Sequence, residues 1–333
     1  MVSNQFFEKK GPFTIKQIIQ PINCVNVVKE NFDLKIYGIE SLSSSTNKDI
    51  TFLNSKKYEE FALKTNAAAC ITTSNFEEIL PPKCIKINVK NILLAVTLIS
   101  KMFYPKADID YPDETLSIST DCKNIYPNVF FGKNVMIGKN VKIGNNTHVG
   151  SNTIIERNVE IGENCIIGSG VVVKNSLIYN DVNIQDGCKI GIKGFGFIPF
   201  KNNNLRTPHV GKVILHQGVE VGANSTIDRG SLNDTVIGKN TFLDNQIHVA
   251  HNVKMGENCM IAGQVGFAGS TSLGDNVVIG GQAGVSGHLK IGNNVKIGGG
   301  SGVVNDIPDN QHVMGYPAIP LREFAKKRKK YEK

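Results

Sequence analysis

The stretch IGKNVKIGNNTHVGSNTI, residues 137–154, repeats itself every six residues, and that period decides the fold. An apolar residue opens each unit, Gly often follows it, and the residue four further on is small or Val. Traced outward, the opening position is held by Ile125, Phe131, Ile137, Ile143, Val149, Ile155, Ile161, Ile167 and Val173. After an interruption the beat returns at Leu215, Val221 and Ile227. It slips by four residues at Asn233–Val236, where a loop must be inserted. It then runs unbroken through Ile237, Leu243, Val249, Met255, Ile261, Phe267, Leu273, Ile279, Val285, Ile291, Ile297 and Val303.

A helix repeats every 3.6 residues and a strand every two, so neither gives a strict six. A short strand with one inward aliphatic, followed by a turn, does. Three units make a triangular coil of 18 residues. Such coils stack about 4.8 Å apart through ladder hydrogen bonds, and the inward aliphatics form a continuous core as in other solenoids. The expected fold is therefore mainly β, a parallel β-helix over 106–308. Residues 1–105 lack the beat. There FTIKQIIQ and NILLAVTLISKMF read as helices and ACITT and CIKINV as strands, giving a small α/β domain with Pro105–Thr120 as connector. Beyond Val303, IPDN and GYPAIP break the pattern, and 309–333 reads as an extension ending in a short basic helix.

With 333 residues the chain can bury a large core. The opening MVSNQFFEKK has no apolar stretch of a secretory signal, and Ile92–Ile99 is too short to cross a bilayer. Seven cysteines without a C-x-x-C pair fit reduced thiols in a cytosol, and Cys165, Cys188 and Cys259 sit where the repeat wants a small residue. Of the net charge of +8, +5 lies between Arg322 and Lys333. The remainder is too weakly basic for a nucleic-acid surface. The tail itself reads either as a solvated helix end or as a docking site for an acidic partner.

Residues 18 apart share an edge of the prism. At the third position of each unit, one edge carries Glu257, Asp275 and Asn293, a solvated corner. A second carries Gly263, Gly281 and Gly299, and the third His251, Gly269 and Gly287, with His288 beside the last. Glycine at a turn commonly supplies a positive φ. The charged edge shows that these turns do not require it, so the glycine edges suggest close approach of a neighbouring subunit or a long ligand. His251 is the candidate general base, since a neutral imidazole accepts protons near pH 7. Gly269, one coil above, offers a backbone N–H to a developing oxyanion, and Asp244 is a possible orienter of the ring. His248 reads as structural. A zinc site built on His248, His251 and a further His is the competing reading, against which stands the scatter of the remaining histidines.

The segments STIDRGSLNDTVIG (225–238), DNQIHVAHNVKMGENCMIAGQVGFAGS (244–270) and GGQAGVSGHLKIG (280–292) resemble the UDP-3-O-acylglucosamine N-acyltransferases, which perform the third step of lipid A (lipopolysaccharide) biosynthesis. FTIKQIIQ, ITFLNSKKY and the GFGF loop (194–197) also fall where that hexapeptide-repeat family has its counterparts. The resemblance implies a left-handed β-helix, whereas general chirality favours right-handed crossovers. It further implies His251 as catalytic base toward the glucosamine 2-amine, Gly269 as oxyanion donor and His288 as a second active-site histidine. Phe52 and Tyr58 match the aromatics that hold the uracil. The donor it implies is a 3-hydroxyacyl chain on the phosphopantetheine of acyl carrier protein, an acidic partner, with no separate cofactor and no metal. The implied assembly is a homotrimer in the cytoplasm, peripheral to the inner membrane of a Gram-negative bacterium.

Two positions depart from the family pattern: Ser55 stands where an Asn usually contacts uracil, and Lys193 where the loop before GFGF is usually acidic. Another sugar-nucleotide O-acyl- or acetyltransferase of the hexapeptide family, or a β-helical scaffold without activity, would share the beat. ITFLNSKKY speaks against the first, and the His251, Gly269 and His288 constellation would be idle in the second.

Overall fold

The computed structural model describes residues 4–27, 31–118, 125–200 and 202–331. They divide into two compact units, Met1–Ile109 with Gly196–Val210, and Asp110–Phe195 with Gly211–Lys333.

The first unit is α/β. Its five-stranded sheet runs in the order Cys24–Asn26, Ile85–Val89, Ala69–Thr72, Asp49–Phe52, Gly38–Ile39, antiparallel at the first pairing and parallel at the others. ACITT and CIKINV supply two of these strands, as the sequence suggests. The apolar run beginning at Ile92 forms the helix Ile92–Phe103, started by Asn91, whose Oδ1 accepts from Leu94 N at 3.0 Å. Its Ile92, Ala95, Val96, Ile99 and Phe103 are buried, so the run is core. FTIKQIIQ gives a shorter helix, Ile15–Ile19, closed by reciprocal bonds between Thr14 and Gln17. The hairpin Phe197–Phe200 and Asn203–Arg206 interrupts the repeat and belongs to this unit.

The second unit is the solenoid. Two-residue strands stack into three sheets of 10, 8 and 11 strands, almost all in parallel register. Register follows the sequence period: Met136 pairs with Ile154 and Ile154 with Val172. From Ile137 on, every beat residue except Ile143 is buried. Ile125 differs, being 67 % exposed; it lies in no strand and precedes Phe130–Phe131. The gap after Val173 is also less of an interruption than the sequence indicates. Ile161 pairs with Ile178, 17 residues on, after which Ile184 and Ile190 resume the buried column. One residue is missing from a single turn, and the stack continues through it.

Each corner turn needs a left-handed residue at its third place, and Asn fills many of them, among them Asn134, Asn140, Asn146, Asn152, Asn158 and Asn164, with φ between 56° and 62°. Successive Asn side chains also bond one another, as Asn134 Nδ2 to Asn152 Oδ1 at 3.3 Å. Cys165, Cys188 and Cys259 are fully buried, and burial raises each thiol's pKa. The six described cysteines are free, and Cys122 lies outside the described residues. After the last coil comes the helix Leu321–Tyr331. No helix among the described residues is long and apolar enough to cross a membrane.

Candidate active site

On the histidine edge the left-handed residues are Asn252, Ser270 and His288, at φ 63°, 63° and 60°. Gly269 and Gly287 precede two of them and have no positive φ. Conformational freedom therefore does not explain those glycines. Space explains Gly269: a Cβ there would lie 2.6 Å from His251 Cε1, 2.8 Å from Nε2 and 3.2 Å from Nδ1. The half-buried imidazole rests on a bare Cα one coil above its own.

The tautomer of His251 follows from its neighbour. His251 Nδ1 lies 2.9 Å from Asn252 Oδ1. The Asn252 amide cannot be turned over, because its Nδ2 donates to the Asn233 carbonyl at 2.8 Å while Ser231 N and Oγ donate to Oδ1 at 3.1 and 2.8 Å. An amide oxygen only accepts, so Nδ1 carries the ring proton and Nε2 presents a lone pair. Asn233 opens the four-residue slip visible in the sequence at Asn233–Val236, and Ser231 lies just before it. That loop anchors Asn252, and Asn252 sets the base.

The sequence places Asp244 as the possible orienter, but the structure assigns that contact to Asn252. Asp244 stands on the preceding edge beside Gly263, and its Oδ1 accepts from Asn245 N and Nδ2 at 2.7 and 3.0 Å. Exposed His288 lies one coil above Gly269 and donates its backbone N–H to Gly269 O at 3.0 Å. The Gly269 N–H itself has no hydrogen-bond partner among the described residues.

His248 points outward from the adjoining strand. Its Nδ1 lies 2.8 Å from Thr226 Oγ1 and its Nε2 4.0 Å from Asp228 Oδ2. Burial, then the charge of His251, lowers its pKa. Asp228 is buried beside Arg229, which donates through Nη1 to Asp110 Oδ1 at 2.6 Å. Burial pushes the Asp228 carboxyl up to about 7; Arg229 and Lys193 pull it down, and Asp110 adds to the rise. Lys193, the departure in the loop before GFGF, donates its backbone N–H to Asp110 Oδ2 at 3.0 Å. Among the described residues no three His, Cys, Asp or Glu side chains group so as to hold a metal.

In the first unit, Phe52 ends the strand Asp49–Phe52 and Tyr58 ends the short 3₁₀ turn Lys56–Tyr58, both half-buried. Tyr58 packs against the cluster of Leu53, Ala62, Cys70 and Leu80, and burial raises its hydroxyl pKa. Ser55 caps that turn, its Oγ accepting from Lys57 N at 3.3 Å.

The family model described as UDP-3-O-(3-hydroxymyristoyl) glucosamine N-acyltransferase matches residues 33–102, and that of bacterial transferase hexapeptide repeats matches 124–157, 140–175 and 234–269. A UDP-3-O-acylglucosamine N-acyltransferase of Granulibacter bethesdensis is 40 % identical over 251 residues, 75 % of this chain and 73 % of that one. The chain belongs to the UDP-3-O-acylglucosamine N-acyltransferase family. The enzymes of that name from Rickettsia rickettsii and a Bradyrhizobium species are 40 % and 42 % identical, covering 77 % and 76 % of this chain and 74 % and 73 % of theirs. The UDP-N-acetylglucosamine acyltransferase of Francisella novicida shares the fold at a TM-score of 0.53 and 22 % identity, over 60 % of this chain and 73 % of that one.

Membership makes the chain an acyltransferase of the hexapeptide-repeat class. The sequence brought His251, Gly269 and His288 to one edge, and the structure keeps them there. It missed Asn252 and the loop behind it. The signal was present, since Asn252 is also a left-handed turn residue and reads as merely conformational.

Proposed function

We propose that this acyltransferase moves a 3-hydroxyacyl chain from acyl carrier protein to the 2-amine of UDP-3-O-acylglucosamine, giving the 2,3-diacylated nucleotide sugar of lipid A biosynthesis. The observation that carries the chemistry is the fixed tautomer of His251. With Nδ1 committed to Asn252 Oδ1, the Nε2 lone pair takes the proton as the amine nitrogen attacks the thioester carbonyl. A C–N bond forms and, as the tetrahedral intermediate collapses, the C–S bond breaks. The imidazolium then returns its proton to the departing thiolate. The developing oxyanion is met by the Gly269 N–H, with His288 assisting.

The acyl chain arrives on the phosphopantetheine of the carrier, so the step calls for no further cofactor. Phe52 and Tyr58 are the residues assigned to the uracil ring, for which flat aromatic faces are suited. The homotrimer, a cytoplasmic location and docking of the acidic carrier on the basic tail complete the reading. All three rest on family membership and tail charge.

The test supplies purified protein with UDP-3-O-acylglucosamine and 3-hydroxyacyl carrier protein, with His251→Ala in parallel. Amide product is expected from the wild type and a loss of about 10²–10⁴-fold from the variant. No amide from the wild type overturns the substrate, and equal turnover by the variant overturns the base.

A further inference from the structure

At several other corners of the solenoid, the N–H that corresponds to Gly269 N is capped by a side chain. On the solvated edge Asp275 Oδ1 accepts from Glu257 N at 2.8 Å, Asn293 Oδ1 from Asp275 N at 2.9 Å and Asp309 Oδ1 from Asn293 N at 2.8 Å. Asn180 caps Glu163 N and Asp186 caps Ser169 N in the same way, at 3.0 and 2.6 Å. Ser151 does so with its Oγ on Lys133 N at 3.0 Å. Each cap comes from the second turn residue of the next coil.

The cap also needs room. The turns it closes begin with Gly132, Gly162, Gly168, Gly256 and Gly274, where a Cβ would collide with the oxygen of the capping side chain. At these capped turns, glycine at the first position makes room for the capping side chain one coil on. The histidine edge reverses both choices. Its turns begin with Ala250, Ala268 and Ser286, and the residue placed to cap Gly269 is Gly287. A Cβ on Gly287 would stand 3.1 Å from Gly269 O, 3.7 Å from Ala268 Cβ and 3.9 Å from Gly269 N, at the root of a cap that is not there.

We propose that Ala268 and Gly287 are positioning residues that keep the Gly269 N–H free of a side-chain cap, so that it is open to the oxyanion of the acyl-transfer step. Gly287 withholds the capping oxygen, and the Ala268 methyl group occupies the space that oxygen would need. Neither touches substrate in this role. The inference rests on the proposed use of Gly269 as oxyanion donor and adds the means by which the fold reserves it.

The experiment installs the cap. Ala268→Gly with Gly287→Asn reproduces the Gly274 and Asn293 pair, and Ala268→Gly with Gly287→Ser is the smaller version after Ser151. Each is crystallised and assayed with both substrates, and either one folding suffices. The expected result is an oxygen of residue 287 within about 3.2 Å of Gly269 N. With it, kcat falls by roughly 10²–10³-fold, as for loss of one oxyanion donor, at little-changed KM and undiminished Tm. Asp275→Gly, which strips a cap from the solvated edge, leaves kcat unchanged and separates the effect from general weakening of turns.

A cap seen in the crystal with kcat unchanged overturns the proposal. So does an open Gly269 N–H in the folded variants, which would mean that something other than these two residues keeps it open. His251→Ala retaining full turnover would instead overturn the reading on which the proposal rests.

Discussion

The imidazole of His251 lies where the side chain of residue 269 would be, with Cε1 at 2.6 Å and Nε2 at 2.8 Å from the place of a Cβ. Gly269 is thus glycine for the sake of another residue's ring. Gly269→Ala displaces the ring, because the added methyl overlaps it at Cε1 and Nε2. The ring must swing away and lose its bond to Asn252 Oδ1. The expected outcome is a fall in kcat of at least about 10²-fold, the scale of general-base catalysis, in a protein whose Tm changes little. Turnover near wild type would show that the ring works from another position.

Asn252 offers a sharper test of the tautomer. Asn252→Ala removes the acceptor that keeps the proton on Nδ1 and leaves the Asn233 carbonyl and the Ser231 donors without their partner. A stability loss of about 1–3 kcal/mol is expected from the orphaned groups, with a larger fractional loss in kcat than in KM. Asn252→Asp keeps an acceptor at Oδ1 but adds negative charge beside the ring. An anion there favours the imidazolium, which cannot act as base. The acid limb of kcat/KM should therefore move to higher pH, while activity on the plateau survives. An unmoved limb would separate Asn252 from the base.

The buried Asp228 carboxyl makes a prediction about stability. Its pKa is pushed up to about 7 from 3.8, so the folded chain holds a proton that the unfolded chain releases. Its contribution is fully present below about pH 4 and is lost as the pH rises through about 7. Asp228→Asn stays neutral throughout. Its Tm relative to wild type should climb between about pH 4 and pH 7 and level off above, an effect on the order of a few kcal/mol. A constant difference over that range would mean that Asp228 is ionised throughout.

How much of this was legible beforehand differs by kind of residue. The β-helix was readable because one inward aliphatic every six residues is a backbone property repeated along the chain, so local errors such as Ile125 cost little. The shortened turn at Asn175 was not readable, since losing one residue looks like losing the pattern, although Ile178, Ile184 and Ile190 keep the core filled. His251 and Gly269 could be paired by arithmetic on an 18-residue coil. Asp244 misled because proximity in sequence does not tell which corner of the triangle a side chain occupies. Asn252 was hidden by degeneracy, an Asn at a left-handed turn position looking alike whether it serves only the turn or also holds a base. The Asp110 and Arg229 pair, 119 residues apart, leaves no periodic trace at all.

The basic tail carries the last prediction. Arg322, Lys326, Lys327 and Arg328 lie exposed on the helix Leu321–Tyr331, whose Phe324 ring lies against Gly315. The side chains of Lys329 and Lys330, and Glu332 and Lys333 entirely, lie outside the described residues. A cluster of one sign at one end of the chain acts on encounter more than on chemistry, since such charges raise association rates and are screened within about 8 Å at physiological salt. Replacing Lys326, Lys327, Arg328, Lys329 and Lys330 with Gln should therefore raise KM for acyl carrier protein by about tenfold at low salt. It should leave kcat and the KM for the nucleotide sugar unchanged. The KM of the wild type should approach that of the variant as salt is added, because the ions do to the tail what the substitutions did. If KM for the carrier is the same in both proteins at low salt, the tail is a solvated helix end and the carrier docks elsewhere.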